Sequence, residues 1–137
     1  MYGKANSTIP LLASAKALGD GSSAAVEVTT DPFQYWASNY NTRIIVYANT
    51  EITVAQTKLL NVDLKQSATE GGTYTNVAAL LRLVAPTGGK VYAIGDVVAE
   101  IVIPDMIVTS GHWLKIGITD DSDLSAMKVD VQVTNCY

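Results

Sequence analysis

Apolar and polar residues alternate strictly along much of the chain from about Ala24 onward, and a period of two is the mark of half-buried strands. In Ala24-Ala25-Val26-Glu27-Val28 the inward set is Ala24, Val26 and Val28. Leu60, Val62 and Leu64 form the next inward set, with Asn61, Asp63 and Lys65 expected to face water. Met127, Val129, Val131 and Val133 then alternate with Lys128, Asp130, Gln132 and Thr134, and a slip of one residue would expose all four apolar side chains. Residues 43–49, 77–85, 90–94, 97–103 and 112–119 are rich in β-branched or aromatic residues, which completes a prediction of roughly eight strands. Pro86-Thr87-Gly88-Gly89, Gly71-Gly72, Gly95-Asp96, Pro104-Asp105 and Asp120-Asp121-Ser122-Asp123 supply the turns. Short strands punctuated in this way predict an all-β sandwich or barrel. Only residues 11–18 have helical potential, and Gly19-Asp20-Gly21 would end such a helix after about two turns. The pattern therefore divides the chain into an extended N-terminal arm over residues 1–22 and a β-domain over residues 23–137.

At 137 residues the chain is long enough to bury one core without disulfides or metal. Hydrophobic residues make up 48% and charged residues only 16%, below the roughly 25% of an ordinary soluble domain, so partners are expected to cover part of the surface. A net charge of −4, with nine scattered basic residues, argues against nucleic acid as a partner, because neutralising phosphates takes clustered Lys and Arg. Cys136 is the one cysteine and can form no internal disulfide. No apolar run approaches a membrane span, since Arg82, Glu100 and Lys115 interrupt the longest, and no compact apolar block with a cleavage site opens the chain. Folding in a cytoplasm, with no membrane partner, is the expectation.

Candidate chemistry is sparse. His112 is the only histidine, and without a Gly-x-Ser-x-Gly elbow it has no nucleophile to serve. Asp120, Asp121 and Asp123 resemble the oxygen-rich loops that hold calcium, but they lack the EF-hand spacing and fit a solvated hairpin tip better. Glycosidase chemistry needs two carboxylates across a cleft, and the sequence does not place pairs such as Glu27 and Glu100 opposite one another. Gly71-Gly72 and Gly88-Gly89 are too short for phosphate loops and read as hairpin glycines. Neither enzyme activity nor a cofactor or metal is expected. The densest aromatic stretch, residues 33–40 with Phe33, Tyr35, Trp36 and Tyr40, has three open readings: a plug for the core, a sugar-stacking platform, or a protein interface built on Tyr35, Trp36 and Tyr40.

The order of these features resembles a known family, the jelly-roll cement or capsid decoration proteins of tailed phages, particularly short-tailed ones. The resemblance begins with a small-residue arm carrying Leu11-Leu12-Ala13-Ser14-Ala15-Lys16-Ala17-Leu18, followed by Val26-Glu27-Val28. It continues through Val62-Asp63-Leu64-Lys65-Gln66-Ser67-Ala68-Thr69-Glu70-Gly71-Gly72-Thr73-Tyr74 and Gly95-Asp96-Val97-Val98-Ala99-Glu100-Ile101-Val102-Ile103-Pro104. His112-Trp113-Leu114-Lys115-Ile116-Gly117-Ile118 and the strand from Met127 to Thr134 close it. The aromatic stretch at 33–40 is denser than the family pattern. The resemblance implies a jelly-roll sandwich on the outside of an icosahedral head, with the major capsid protein and further copies of itself, as homodimer or homotrimer, for partners. Within that expectation Tyr2, Ile9, Leu11 and Leu12 of the arm are the candidate capsid-binding residues. The competing expectation is a carbohydrate-binding sandwich from a phage fibre or spike, using the same aromatics and calcium at Asp121 and Asp123.

Overall fold

A computed structural model describes residues 8–19, 26–36, 41–103, 107–122 and 124–136. Among them every regular element is a strand: β1 (Thr8–Leu18), β2 (Val26–Thr29), β3 (Phe33–Gln34), β4 (Asn41–Ala48), β5 (Ile52–Val54) and β6 (Leu59–Ser67). After these come β7 (Thr75–Val84), β8 (Lys90–Tyr92), β9 (Val97–Val102), β10 (Trp113–Asp120) and β11 (Leu124–Cys136). All pairings are antiparallel. One sheet runs β1-β11-β4-β9 and the other β2-β10-β6-β7, with β3 continuing the β2 edge along β10. The architecture is an all-β sandwich.

The pairings nest. β6 pairs with β7, β5 with β8, β4 with β9, β2 and β3 with β10, and β1 with β11, so the chain is a single long hairpin rolled up on itself. Two further pairings, β11 with β4 and β10 with β6, zip the roll into sheets. Gly71 and Gly72 lie in the connection at the tip of this hairpin, between β6 and β7. Gly88 and Gly89 are not hairpin glycines as expected. Their turn, closed by the Gly89 N–H on the Pro86 carbonyl at 2.8 Å, carries the chain from β7 of one sheet into the β5–β8 ribbon.

The eight strands read from the pattern are all present, and β1, β3 and β5 are additional. The segment expected as an arm is extended, but Thr8–Leu18 lies along β11 as an edge strand instead of standing apart. Its alternation is scrambled because β1 slips register against β11 at three places, with Ala15 at φ 51 in one of them. Asp63 also departs from expectation. It points outward between Leu60, Val62 and Leu64 of the core but is only 4% exposed. Its register neighbours are Gly117 and Ala79, and over this row of small residues the longer Arg82 folds down to pair with the carboxylate.

One apolar core fills the space between the sheets, and Leu60, Val62, Leu64, Leu114, Ile116, Ile44, Val46, Val131 and Val133 belong to it. The β5–β8 ribbon covers one end of it with Ile52, Val54 and Tyr92. Ile116→Ala is expected to lower unfolding free energy by about 2–5 kcal/mol, read as a drop in the urea midpoint, while Val84→Ala, on an exposed site, stays within about 0.5 kcal/mol. Burial pushes the Tyr92 phenol above its ordinary range. Its stabilising share is therefore fully present below the unfolded-state pKa and lost as pH rises past about 10 and through the folded value. Tyr92→Phe should flatten that alkaline fall in melting temperature.

Candidate functional site

The end of the sandwich opposite the ribbon is built by the stretch of highest aromatic density. Pro32 lacks an N–H and interrupts the edge after β2, where Thr30 is tied instead to Ile116 through both backbone and hydroxyl. β3 then resumes the ladder, with Phe33 opposite Leu114 and Gln34 opposite Trp113. The ladder continues past β3: the Tyr35 N–H donates to the His112 carbonyl at 2.8 Å, and the Gly111 N–H donates to the Tyr35 carbonyl at 2.7 Å. Gln34 adds a side-chain bond, Nε2 to the Gly111 carbonyl at 2.9 Å.

Strand alternation sorts this stretch. Phe33 packs on the core, and Tyr35, at 3% exposure, is a member of it. Trp36 is 63% exposed, with the benzo end of its indole over Gly111. Gly111 closes a tight turn, with the His112 N–H on the Thr109 carbonyl, at φ 87, a conformation that favours glycine. Tyr35 belongs to the core, as the plug reading has it, and is not an interface residue, whereas Trp36 presents a large apolar surface to solvent. Tyr40 lies outside the described residues.

The other expected site residues do not converge here. Tyr2 is outside the described residues, and Ile9 and Leu11 are positions within β1, Ile9 standing opposite Val133. Leu12 is half-buried, packed against the core. His112 is half-buried at the start of β10, its Nδ1 without a hydrogen-bond partner among the described residues. Asp120 is buried inside β10 and accepts the Ser122 N–H, while Asp121 accepts the Leu59 N–H at 2.8 Å. Their loop is not a hairpin tip, because it crosses from β10 in one sheet to β11 in the other. Asp123 lies outside the described residues, and among those described no three His, Cys, Asp or Glu side chains gather as metal ligands. Glu27 and Glu100 sit on opposite sheets, paired with Lys65 and Arg43.

A feature the sequence reading missed lies on the outer face of the second sheet. The Glu27–Lys65 pair, Nζ to Oε1 at 3.2 Å, spans from β2 to β6 across Gly117 of β10. A methyl group at Gly117 would stand 2.6 Å from Glu27 Oε2 and 2.7 Å from Lys65 Cε, so the glycine is the saddle on which the pair rests. Next to it the Lys115 ammonium lies 4.5 Å from the centre of the Tyr74 ring. Only a glycine in mid-strand hinted at this arrangement.

The division of the aromatics gives a direct expectation for stability. Tyr35→Ala should cost about 3–5 kcal/mol in urea unfolding, as for large core aromatics, whereas Trp36→Ala should cost under about 1 kcal/mol. No family model, curated protein or solved structure matches the chain, and its function is read from this geometry.

Proposed function

We propose that the chain is a capsid decoration protein: a jelly-roll sandwich that binds the outer surface of an icosahedral phage head in several copies and stabilises the shell. The observation that carries this reading is the nested strand order. First pairs with last, and each inner pair lies within the next, giving the sheets β1-β11-β4-β9 and β2-β10-β6-β7. A long hairpin rolled into two facing sheets is in keeping with a jelly roll, a plan used by viral capsid domains. The step from fold to role is one of analogy, and Trp36 gives it a physical handle. A large aromatic held on a braced backbone and left exposed is the kind of side chain that anchors protein interfaces.

A globule of this length has a radius of gyration of roughly 14 Å, so one copy covers a seam between capsid subunits but cannot span a capsomer. Clamping a shell then depends on valency. When linked copies grip different subunits, the second contact is intramolecular, and avidity exceeds single-site affinity by about 10²–10⁴. In this reading the role is structural, the partners are the major capsid protein and the chain itself, and the place of action is the head exterior.

A carbohydrate-binding module is the second reading, favoured by the same exposed Trp36, which could stack on a sugar ring. Co-sedimentation with empty, expanded heads lacking the protein separates the two. Decoration gives a fixed small-integer ratio of copies per capsid subunit and heads that withstand more heat. No binding to heads, with retention on a glycan surface, overturns decoration. Trp36→Ala is expected to lower occupancy while the urea midpoint holds. Removing residues 1–7, a cut that spares all of β1, tests Tyr2 and should reduce occupancy further.

A further inference from the structure

The sandwich has four lateral edges, and three of them carry backbone that resists a new strand. β1 contains Pro10 and slips register at three places. The β2–β3 edge is broken between Thr29 and Phe33 into runs of four and two residues. β7 slips twice against β6. β9 differs: its one register shift lies at its start, and from Ala99 to Val102 it matches β4 residue for residue. Its sequence, Val97-Val98-Ala99-Glu100-Ile101-Val102, is mostly β-branched, and among the described residues β4 is its only strand neighbour.

The phase of its hydrogen bonds follows from one contact. The Ile103 N–H donates to the Thr42 carbonyl at 2.8 Å, so by antiparallel alternation Ile101 and Ala99 also turn their backbone groups toward β4. Glu100 and Val102 therefore point theirs to the open side. Val102 is also 49% exposed.

We propose that β9 is where two copies of the chain join, each β9 running antiparallel to its twin about a two-fold axis at Ile101. Glu100 of each copy then faces Val102 of the other as a hydrogen-bonded pair, and Ile101 meets its twin as a non-hydrogen-bonded pair with Cα atoms about 4.5 Å apart. An axis at Glu100 would set two carboxylates directly opposite, and one at Val102 would pair only residues 101–103 of the regular run 99–103. At Ile101 neither fault arises. Across the join the row reads Arg43, Val102, then Glu100 and Ile45 of the other copy, so opposite charges flank an apolar neighbour. A second copy fits this edge because it offers the same phase, length and side-chain pattern, as a self-complementary interface requires.

This join rests on the multivalency of the proposed function and supplies its structural basis. Sedimentation velocity of the full chain is expected to show a monomer–dimer equilibrium that Val102→Pro shifts to monomer. That change removes an outward N–H and no bond to β4, so circular dichroism and melting should hold. In a Cys136→Ser background, Ile101→Cys should form an inter-copy disulfide on mild oxidation, whereas Glu100→Cys, whose twin lies two residues out of register, should not. A dimer that survives Val102→Pro and fails to cross-link through Ile101→Cys overturns the β9 join. A chain that stays monomeric in solution yet still saturates heads overturns the join and leaves decoration standing. Failure to bind heads by a chain that cross-links at Ile101 does the reverse.

Discussion

Leu114, Ile116 and Ile118 of β10 and Val129, Val131 and Val133 of β11 are each 2% exposed or less, and all six belong to the one core between the sheets. β10 and β11 are consecutive in the chain, yet each lies in the interior of a different sheet, hydrogen-bonded on both sides. The loop between them therefore crosses the sandwich, and its polar groups need partners: Asp121 takes the Leu59 N–H and Asp120 takes the Ser122 N–H. The acidic character of that loop answers this structural demand. β1 and β4 flank β11, β2, β3 and β6 flank β10, and β9 and β7 add outside β4 and β6, so the edges fall at β1, β2, β7 and β9.

Much of this could be read in advance where burial differs sharply between the two faces of a strand. Val129, Val131 and Val133 alternate cleanly because Lys128, Asp130 and Gln132 stand opposite them in the pattern. Asp63 was misread for a reason local to its row: Gly117 and Ala79 on either side leave room for Arg82 to lie over it, and sequence spacing within one strand contains nothing about the neighbours across the sheet. β1 was opaque because Ala13, Ser14, Ala15 and Ala17 carry little polarity contrast and its register slips break the period. The aromatic stretch was partly legible. Phe33-Gln34-Tyr35-Trp36 holds a period of two, which separates Tyr35 from Trp36 once β3 is known to be a strand.

The low charge content also has a structural counterpart. Val84, Val91, Ile94 and Val97 are exposed around the ribbon end, and Trp36 and Val102 are exposed at the other, so the apolar surplus lies at the ends and along one edge of the sandwich. The face of the second sheet is instead a lattice of paired charges, Glu27 with Lys65 and Arg82 with Asp63. Each pair sets a largely buried partner, Asp63 or Lys65, beneath a more exposed one, and together they keep this face polar and unattractive to stray contacts.

The nested strand order has a consequence for how such a chain comes into being. β10 and β11 follow the other strands along the chain, so on the ribosome neither sheet can be completed until residues 113–136 have been made. Until then β4 with β9 and β6 with β7 can form only unsupported ribbons, with the faces meant for β10 and β11 open to water. Premature termination anywhere before Trp113 would leave no centre for either sheet, and the truncated product would be a substrate for chaperones and proteases. Only chains that extend through β11 can close both sheets, a form of quality control written into topology.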